Sequence, residues 1–285
     1  MAAAIAVFGV ACVLYGILVE RTWYRVLRHR LDILPTGAEP LVVLHLSDLH
    51  FLRDDERKAR FLGRLPTADV TIVTGDLLGE PEGVSAVVDA VRAARGRLAS
   101  WFVLGSNDYY VPRLKNYFAY FLRPRRRRRA RPGPARELVA ALVADGWEDL
   151  TNVRRLVSLD GLEAELLGLD DAHIRRQDLR RAPRRAAERF GLAVMHSPDS
   201  AAEAAALGYP LIVAGHTHGG QVRLPLLGAL VTNCSLPPRL ASGLARIGGS
   251  ILHTSPGVGT SKYAPFRFWC RPEATYLELH PRPSR

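Results

Sequence analysis

The hydrophobic pattern alternates between short apolar runs and polar loops. Leu41 to Leu46 is a run of apolar residues around a single His45, and it stops at Ser47-Asp48-Leu49-His50. Such a run suits a buried strand of a sheet covered on both faces. Asp69 to Thr74 and Ser100 to Leu104 repeat the pattern and end in Gly75-Asp76 and Gly105-Ser106-Asn107-Asp108. Between them, Asp55 to Leu65 and Glu82 to Arg95 carry helical spacing. Strand, polar loop and helix in repeated order predict a parallel sheet with crossover helices. The second half reads as more antiparallel, with strands at Val153 to Ser158 and Leu162 to Leu167 and a basic helix over Arg175 to Arg189. Two further strands end in motifs: Leu192 to Met195 before His196, and Leu211 to Ala214 before Gly215-His216-Thr217-His218.

Met1 to Val19 has no charged side chain and is nearly all apolar. About 20 apolar residues span a bilayer, so residues 1–20 are expected to anchor the chain in a membrane. Glu20 follows, then Arg21, Arg25, Arg28 and Arg30. Positive charge on that side predicts a cytoplasmic body. Residues 21–40, with two prolines and a glycine in their second half, read as a basic linker, and 41–285 as one catalytic domain.

Charge changes the picture in one place. The net charge of +11 comes largely from clustered arginines, a statement about surfaces and partners rather than fold. Residues 109–134 interrupt the pattern with Tyr109, Tyr110, Tyr117, Phe118, Tyr120 and Phe121, then Arg123, Arg125 to Arg129 and Arg131. Three readings stand for this insertion: a solvated loop, an anionic membrane surface, or a single-stranded nucleic acid. Three widely spaced cysteines argue against a disulfide framework, and no Cys-x-x-Cys offers a thiolate zinc site.

The strand ends carry the chemistry. Asp48 and His50, spaced by two on a strand end, would point the same way. Open α/β sheets bind ligands at the carboxyl ends of their strands. Carboxylates, imidazoles and an amide without thiolate suit Mn, Fe or Zn. They are too many for one tetrahedral zinc, but would serve two ions about 3.5–4 Å apart sharing a carboxylate.

The blocks Asp48-Leu49-His50, Gly75-Asp76, Gly105-Ser106-Asn107-Asp108, His196 and Gly215-His216-Thr217-His218 resemble, in that order, those of the calcineurin-like metallophosphoesterases, in the bacterial branch with an N-terminal hydrophobic segment. The likeness runs from about Leu41 to Leu279 and includes the tail from Gly257-Val258-Gly259 to Pro272-Glu273. It implies an α/β fold, a four-layer α/β/β/α sandwich of two mixed sheets flanked by helices. It implies a dinuclear phosphoesterase that cleaves a phosphodiester or pyrophosphate with a metal-bridging hydroxide. Asp48, His50 and His218 would hold the first metal, Asp76 would bridge, and His196 and His216 would hold the second with an amide from the third block. The substrate expected from the resemblance and the apolar N-terminus is a phosphoester, lipid-linked or an activated sugar. A single-strand nuclease and a metal-stabilised, non-catalytic interaction domain are the alternatives.

The third block departs from the family pattern, Gly-Asn-His-Asp/Glu, whose Asn binds metal and whose His contacts phosphate and can protonate the leaving group. Ungapped, Ser106 takes the metal position and Asn107 the acid's; shifted by one, Asn107 is the ligand. An amide oxygen binds metal better than a neutral hydroxyl, which favours Asn107. Asn cannot act as a general acid. Asp76, Asn107 and Asp108 are the candidate catalytic residues; Asp108 and His253 are candidates for the missing acid, and His45 a poor one because it lies within the strand.

Overall fold

The computed structural model describes residues 1–114, 130–181, 186 and 188–283. Two six-stranded sheets pack face to face. The first contains β1 (Arg25–Leu34), β2 (Leu41–Leu46), β3 (Val70–Thr74), β4 (Ala99–Val103), β5 (Glu148–Asp149) and β14 (Glu273–Pro281), in the order β1-β14-β2-β3-β4-β5. The second contains β6 (Arg154–Leu159), β7 (Leu162–Leu169), β8 (Phe190–Met195), β9 (Leu211–Ala214), β12 (Gly243–Ile247) and β13 (Ser250–Thr254), in the order β12-β13-β9-β8-β7-β6. A two-stranded ribbon of β10 (Arg223–Leu224) and β11 (Gly228–Ala229) stands apart.

The two-residue period of the strands divides the core. Along β2, Val43 faces the opposite sheet and Leu44 and Leu46 face the helices. Between the sheets lie Val43, Val70, Ile72, Trp101 and Val103 against Leu166, Leu192, Val194, Leu211 and Val213. The outer face of the first sheet is covered by α2 (Glu56–Leu62), α3 (Val84–Arg92) and α5 (Ala135–Ala144). The outer face of the second packs Ala193, Met195 and Ile212 on Ala201 and Ala204 of α6 (Ala201–Ala206). This is the expected four-layer α/β/β/α sandwich.

Several boundaries differ from the sequence reading. Residues 21–40 are not a linker: Arg25–Leu34 forms edge strand β1, paired in parallel with β14. Its alternation of exposed charge and inward Leu31 and Ile33 is a strand signal that the arginines obscured. The second sheet is antiparallel only at its edges, where β12 and β6 pair; β13, β9, β8 and β7 run parallel. The basic segment from Arg175 is no α-helix in its described part; a 3-10 turn at Ala172–Ile174 ends at Arg175 with φ 61°, and another turn covers Leu179–Arg181. At the insertion, Tyr110 bridges Pro132, so the two ends of the excursion are pinned together. Tyr117, Phe118, Tyr120, Phe121, Arg123 and Arg125 to Arg129 lie outside the described residues.

An N-terminal helix, α1 (Ala2–Leu18), presents mostly exposed apolar side chains. The stretch Ala3–Thr22 is long and apolar enough to cross a membrane.

Candidate metal centre

The parallel strands β2, β3 and β4 of one sheet and β8 and β9 of the other end at the same edge of the sandwich. The loops beyond them carry every sequence-predicted ligand. Asp48 and His50 do not lie on an extended strand, however. β2 stops at Leu46, and Asp48 and His50 have φ of 48° and 45°. Asp76, His216 and His218 also have positive φ, at 50°, 69° and 50°. A non-glycine residue in this left-handed conformation costs roughly 1–2 kcal/mol. The surrounding hydrogen bonds hold these residues there. The amides of Asp48 and His50 donate to the carbonyls of Gly75 and Asp76 at 3.0 and 2.9 Å, binding the two loops side by side.

The ligands form two adjoining clusters. Asp48, His50 and His218 offer one set of donor atoms close enough to share an ion, and Asp48, Asp76 and His196 a second. His50 Nε2 and His218 Nε2 face each other at 3.1 Å. His218 Nε2 lies 3.5 Å from Asp48 Oδ1, and His50 Nε2 lies 3.7 Å from Asp76 Oδ2. On the other side, His196 Nε2 is 3.6 Å from Asp76 Oδ1 and 3.3 Å from His216 Nδ1. Asp48 belongs to both clusters, and Asp76 turns one carboxylate oxygen toward His50 and the other toward His196.

The atoms around this centre fit metal ions. Asp48 Oδ1 is buried without a hydrogen-bond partner, while Asp48 Oδ2 accepts the Ser47 hydroxyl at 2.6 Å and the His216 amide at 2.9 Å. A buried carboxylate oxygen left without a donor is expensive unless a cation meets it. His196 Nδ1 donates to the Thr74 carbonyl at 2.7 Å, which turns Nε2 toward the carboxylates. Such outer bonds fix a ligand's tautomer and orientation. Lys58, itself buried, holds the His50 carbonyl at 3.1 Å and the Asp55 carboxylate at 2.6 Å. Glycines allow the close approach. A Cβ on Gly215 would lie 1.8 Å from Ser47 Oγ, and one on Gly105 would lie 2.4 Å from Asp76 Oδ1.

Electrostatics suits the same role. Burial lowers His50 to about 4 and His216 to about 3, so both imidazoles are neutral, with lone pairs free near neutral pH. Burial works against a charged Asp76, but His196, His50 and the Asn107 amide outweigh it and hold the carboxyl well below its usual range. Burial also opposes a charge on His196, yet Asp76, Asp171 and Asp48 raise it to about 10. A cation entering the centre would displace that proton.

In the third block, Asn107 is the residue that touches Asp76. Its amide N–H donates to Asp76 Oδ1 at 2.7 Å and its side-chain amide donates to Asp76 Oδ2. Ser106 opens the short helix α4 (Ser106–Tyr109). Asp108 is fully buried and accepts the Leu78 amide at 3.0 Å and the Gly105 amide at 2.9 Å, so both its oxygens shape the loop. Burial and the neighbouring Asp76 raise it to about 7. His253 is not at the centre. It is buried between the sheets, where its Nδ1 meets His45 Nδ1 at 2.7 Å, which removes it as a candidate acid.

Sequence reasoning missed residues at the end of β7. Asp171 is buried, accepts the His173 amide at 2.8 Å and acts electrostatically on His196. The exposed His173 lies against His216, with ring centroids 4.4 Å apart. Asp170 joins the Tyr109 hydroxyl and Arg176, each at 3.0 Å. The signal was present: Asp170-Asp171 follows an apolar strand just as Asp48 does.

Residues 41–220, more than half of the chain, match the family model described as calcineurin-like phosphoesterase. The chain is 28% identical over 266 residues to phosphodiesterase YaeI of Escherichia coli K12, covering 91% of this chain and 90% of the relative. It is 24% identical over 284 residues to the uncharacterized metallophosphoesterase YkuE of Bacillus subtilis 168, covering 95% and 89%. Among solved structures it is similar to the phosphopantetheinyl hydrolase PptH of Mycobacterium tuberculosis, with 11% identity, coverage of 82% and 92%, and a TM-score of 0.45. The chain therefore belongs to the calcineurin-like phosphoesterase family and is a phosphoester hydrolase.

Proposed function

We propose that the protein is a dinuclear-metal phosphodiesterase or pyrophosphatase acting at a membrane. The observation that carries this reading is the convergence of Asp48, His50, Asp76, Asn107, His196, His216 and His218 from five strand ends, with the two Asp76 oxygens turned toward His50 and His196. Asp48, His50 and His218 would hold one ion, His196, His216 and the Asn107 side chain the other, and Asp76 both. Two ions held there supply Lewis acidity to the phosphoryl group and a water acidified toward neutral pH. Mn, Fe and Zn all suit this donor set.

The chain's own residues set the rest. Lys58, Ser47 and the Thr74 carbonyl fix the ligands, and Asp108 holds the loop that presents Asn107. The third block holds no proton-donating histidine, so substrates whose leaving group needs little protonation are favoured, such as aryl esters or pyrophosphate bonds. Rates across phenyl phosphodiesters should fall steeply as leaving-group pKa rises; a flat series would sink this preference.

Membrane placement through α1, with the catalytic body in the cytoplasm, points to a lipid-linked phosphoester or an activated sugar as substrate. The decisive experiment is hydrolysis of bis-p-nitrophenyl phosphate with Mn, Fe or Zn added to chelator-stripped protein. Metal-dependent turnover lost in Asp76→Asn supports the reading. Bound metal without turnover would instead favour an interaction domain, and preferential cleavage of single-stranded DNA a nuclease.

A further inference from the structure

We propose that the ribbon from Val222 to Val231 is a second membrane contact, docking its tip on the bilayer that receives α1. The proposal rests on the reading of α1 as a membrane span. Leu226, at the tip, is the most exposed large hydrophobic side chain among the described residues, and Leu227, Leu230 and Val231 beside it are exposed as well. Leu226 also has φ 68°. A bulky side chain held in the left-handed region and in water is unfavourable twice over, and such outliers persist where they serve a contact.

The occupant follows from what the ribbon is joined to. The Arg223 amide donates to the Phe268 carbonyl at 2.9 Å, and the Phe268 amide donates to the Gln221 carbonyl at 3.0 Å. Gln221 Nε2 holds the Ala264 and Phe266 carbonyls at 2.8 and 2.7 Å. That same segment carries α1: Phe268 meets Tyr15 edge to face at 6.3 Å, and the Arg267 amide donates to the Gly16 carbonyl at 3.3 Å. The apolar ribbon is thus continuous with the apolar helix through one braced strip of backbone. At the foot of α1 the surface turns aromatic and basic. Trp23 is half exposed beneath the Arg271 guanidinium, and a groove beside it is lined by Thr22, Arg57, Arg60 and Arg64. Leucines to enter the acyl boundary, tryptophan at the interface and arginines for anionic headgroups complement a lipid bilayer rather than a protein. His218 lies four residues before Val222, so this contact would set the metal centre beside the headgroups.

The test uses the full chain in nanodiscs of phosphatidylcholine and phosphatidylglycerol. In a Cys12→Ala, Cys234→Ser background, Leu226→Cys and, separately, Val7→Cys would carry an environment-sensitive fluorophore. Retained hydrolysis of bis-p-nitrophenyl phosphate verifies the fold of each labelled protein. The expected result is a blue shift at both positions and quenching of both by spin labels on the lipid tails. Quenching at position 7 with a water-exposed, unshifted probe at 226 would overturn the ribbon contact while leaving the span intact. Quenching at neither position would overturn both readings. Quenching at 226 alone would remove the span and overturn the ribbon as a second contact beside it.

Discussion

The carboxylate of Glu20, at the foot of α1, accepts the backbone amide of Trp269 at 2.9 Å across 249 positions of sequence. It also accepts the neighbouring amide of Cys270, whose Sγ donates to the carbonyl of the candidate ligand His218 at 3.2 Å. Glu20 is almost fully buried, so these bonds tie α1 to the metal centre through a single turn of backbone. Replacing Glu20 by Ala leaves the part-buried Trp269 amide and the buried Cys270 amide without their acceptor, a loss of about 1–3 kcal/mol for the buried one. A lowered melting temperature together with weaker metal binding, read by competition with a chelator, is the expected outcome. Unchanged metal affinity in a folded variant would show the tie to be structural only.

Arg267 makes a parallel case from inside the tail. It is completely buried and donates to the carbonyls of Pro256, Gly257, Gly259 and Cys270 at 2.8, 3.1, 2.7 and 3.2 Å. The chain it gathers wraps Asp48, since the Gly259 amide donates to the Asp48 carbonyl at 2.7 Å. Arg267→Met is expected to destabilise the protein by about 3–5 kcal/mol, as breaking a buried charged network does. Denaturant unfolding measures this directly, and Arg267→Lys should recover only part because one ammonium cannot reach four carbonyls.

Gly215 tests the packing of the centre. The Cβ of an alanine there would collide with Ser47 Oγ and press on Asp48 Oδ2. Displacing an outer partner of a metal ligand typically lowers metal affinity by about 10–100-fold. Gly215→Ala should therefore bind metal more weakly by that factor in calorimetric titration. Gly249→Ala, where a Cβ meets nothing and φ, as at Gly215, lies outside the left-handed region, serves as the control for an added methyl alone.

Ser106 and Asn107 can be separated by the same measurement. Asn107 is in contact with Asp76, the proposed bridge, so on the proposed reading Asn107→Ala should weaken metal binding and turnover together. Ser106→Ala should leave both within a few-fold of the parent, and the reverse order would transfer the ligand role to Ser106.

Acid sensitivity is expected from a histidine pair outside the candidate ligand set. His45 and His253 join the inner faces of the two sheets, and His45 Nε2 continues to the Thr74 hydroxyl at 2.9 Å. Burial lowers His45 to about 3 and His253 well below its ordinary value. The unfolded chain takes up these protons near pH 6.5, whereas the folded one does not. Stability is therefore intact above that pH and falls below it, by up to about 1.4 kcal/mol per pH unit for each histidine until the folded value is reached. Urea midpoints at pH 7 and pH 5 measure the slope, and His45→Phe should flatten it.

The seven candidate ligands were legible in the sequence because each follows an apolar strand, and the strand ends have to meet wherever parallel strands share a sheet. The reason Asp48 and His50 converge was not legible. A spacing of two on a strand explains it on paper, whereas the structure uses left-handed backbone in the loop beyond β2. Glu20, Lys58 and Arg267 escaped notice for a different reason. Each is a charged residue, a type that sequence reasoning assigns to the surface, and only tertiary contact reveals that it is buried. The same holds for β1, whose partner strand lies far along the chain.

That pairing has a consequence for synthesis. β14 lies between β1 and β2, in register from Arg25 with Glu273 to Asp32 with His280, and antiparallel to β2 from Leu41 to His45. A nascent chain on the ribosome has made β1 and β2 long before the strand that joins them. Until residues 273–281 emerge, both strands present open hydrogen-bonding edges, the surfaces from which aggregation begins. Stop codons or deletions that remove this last strand should therefore produce insoluble chains rather than a shortened enzyme, with every metal ligand still encoded.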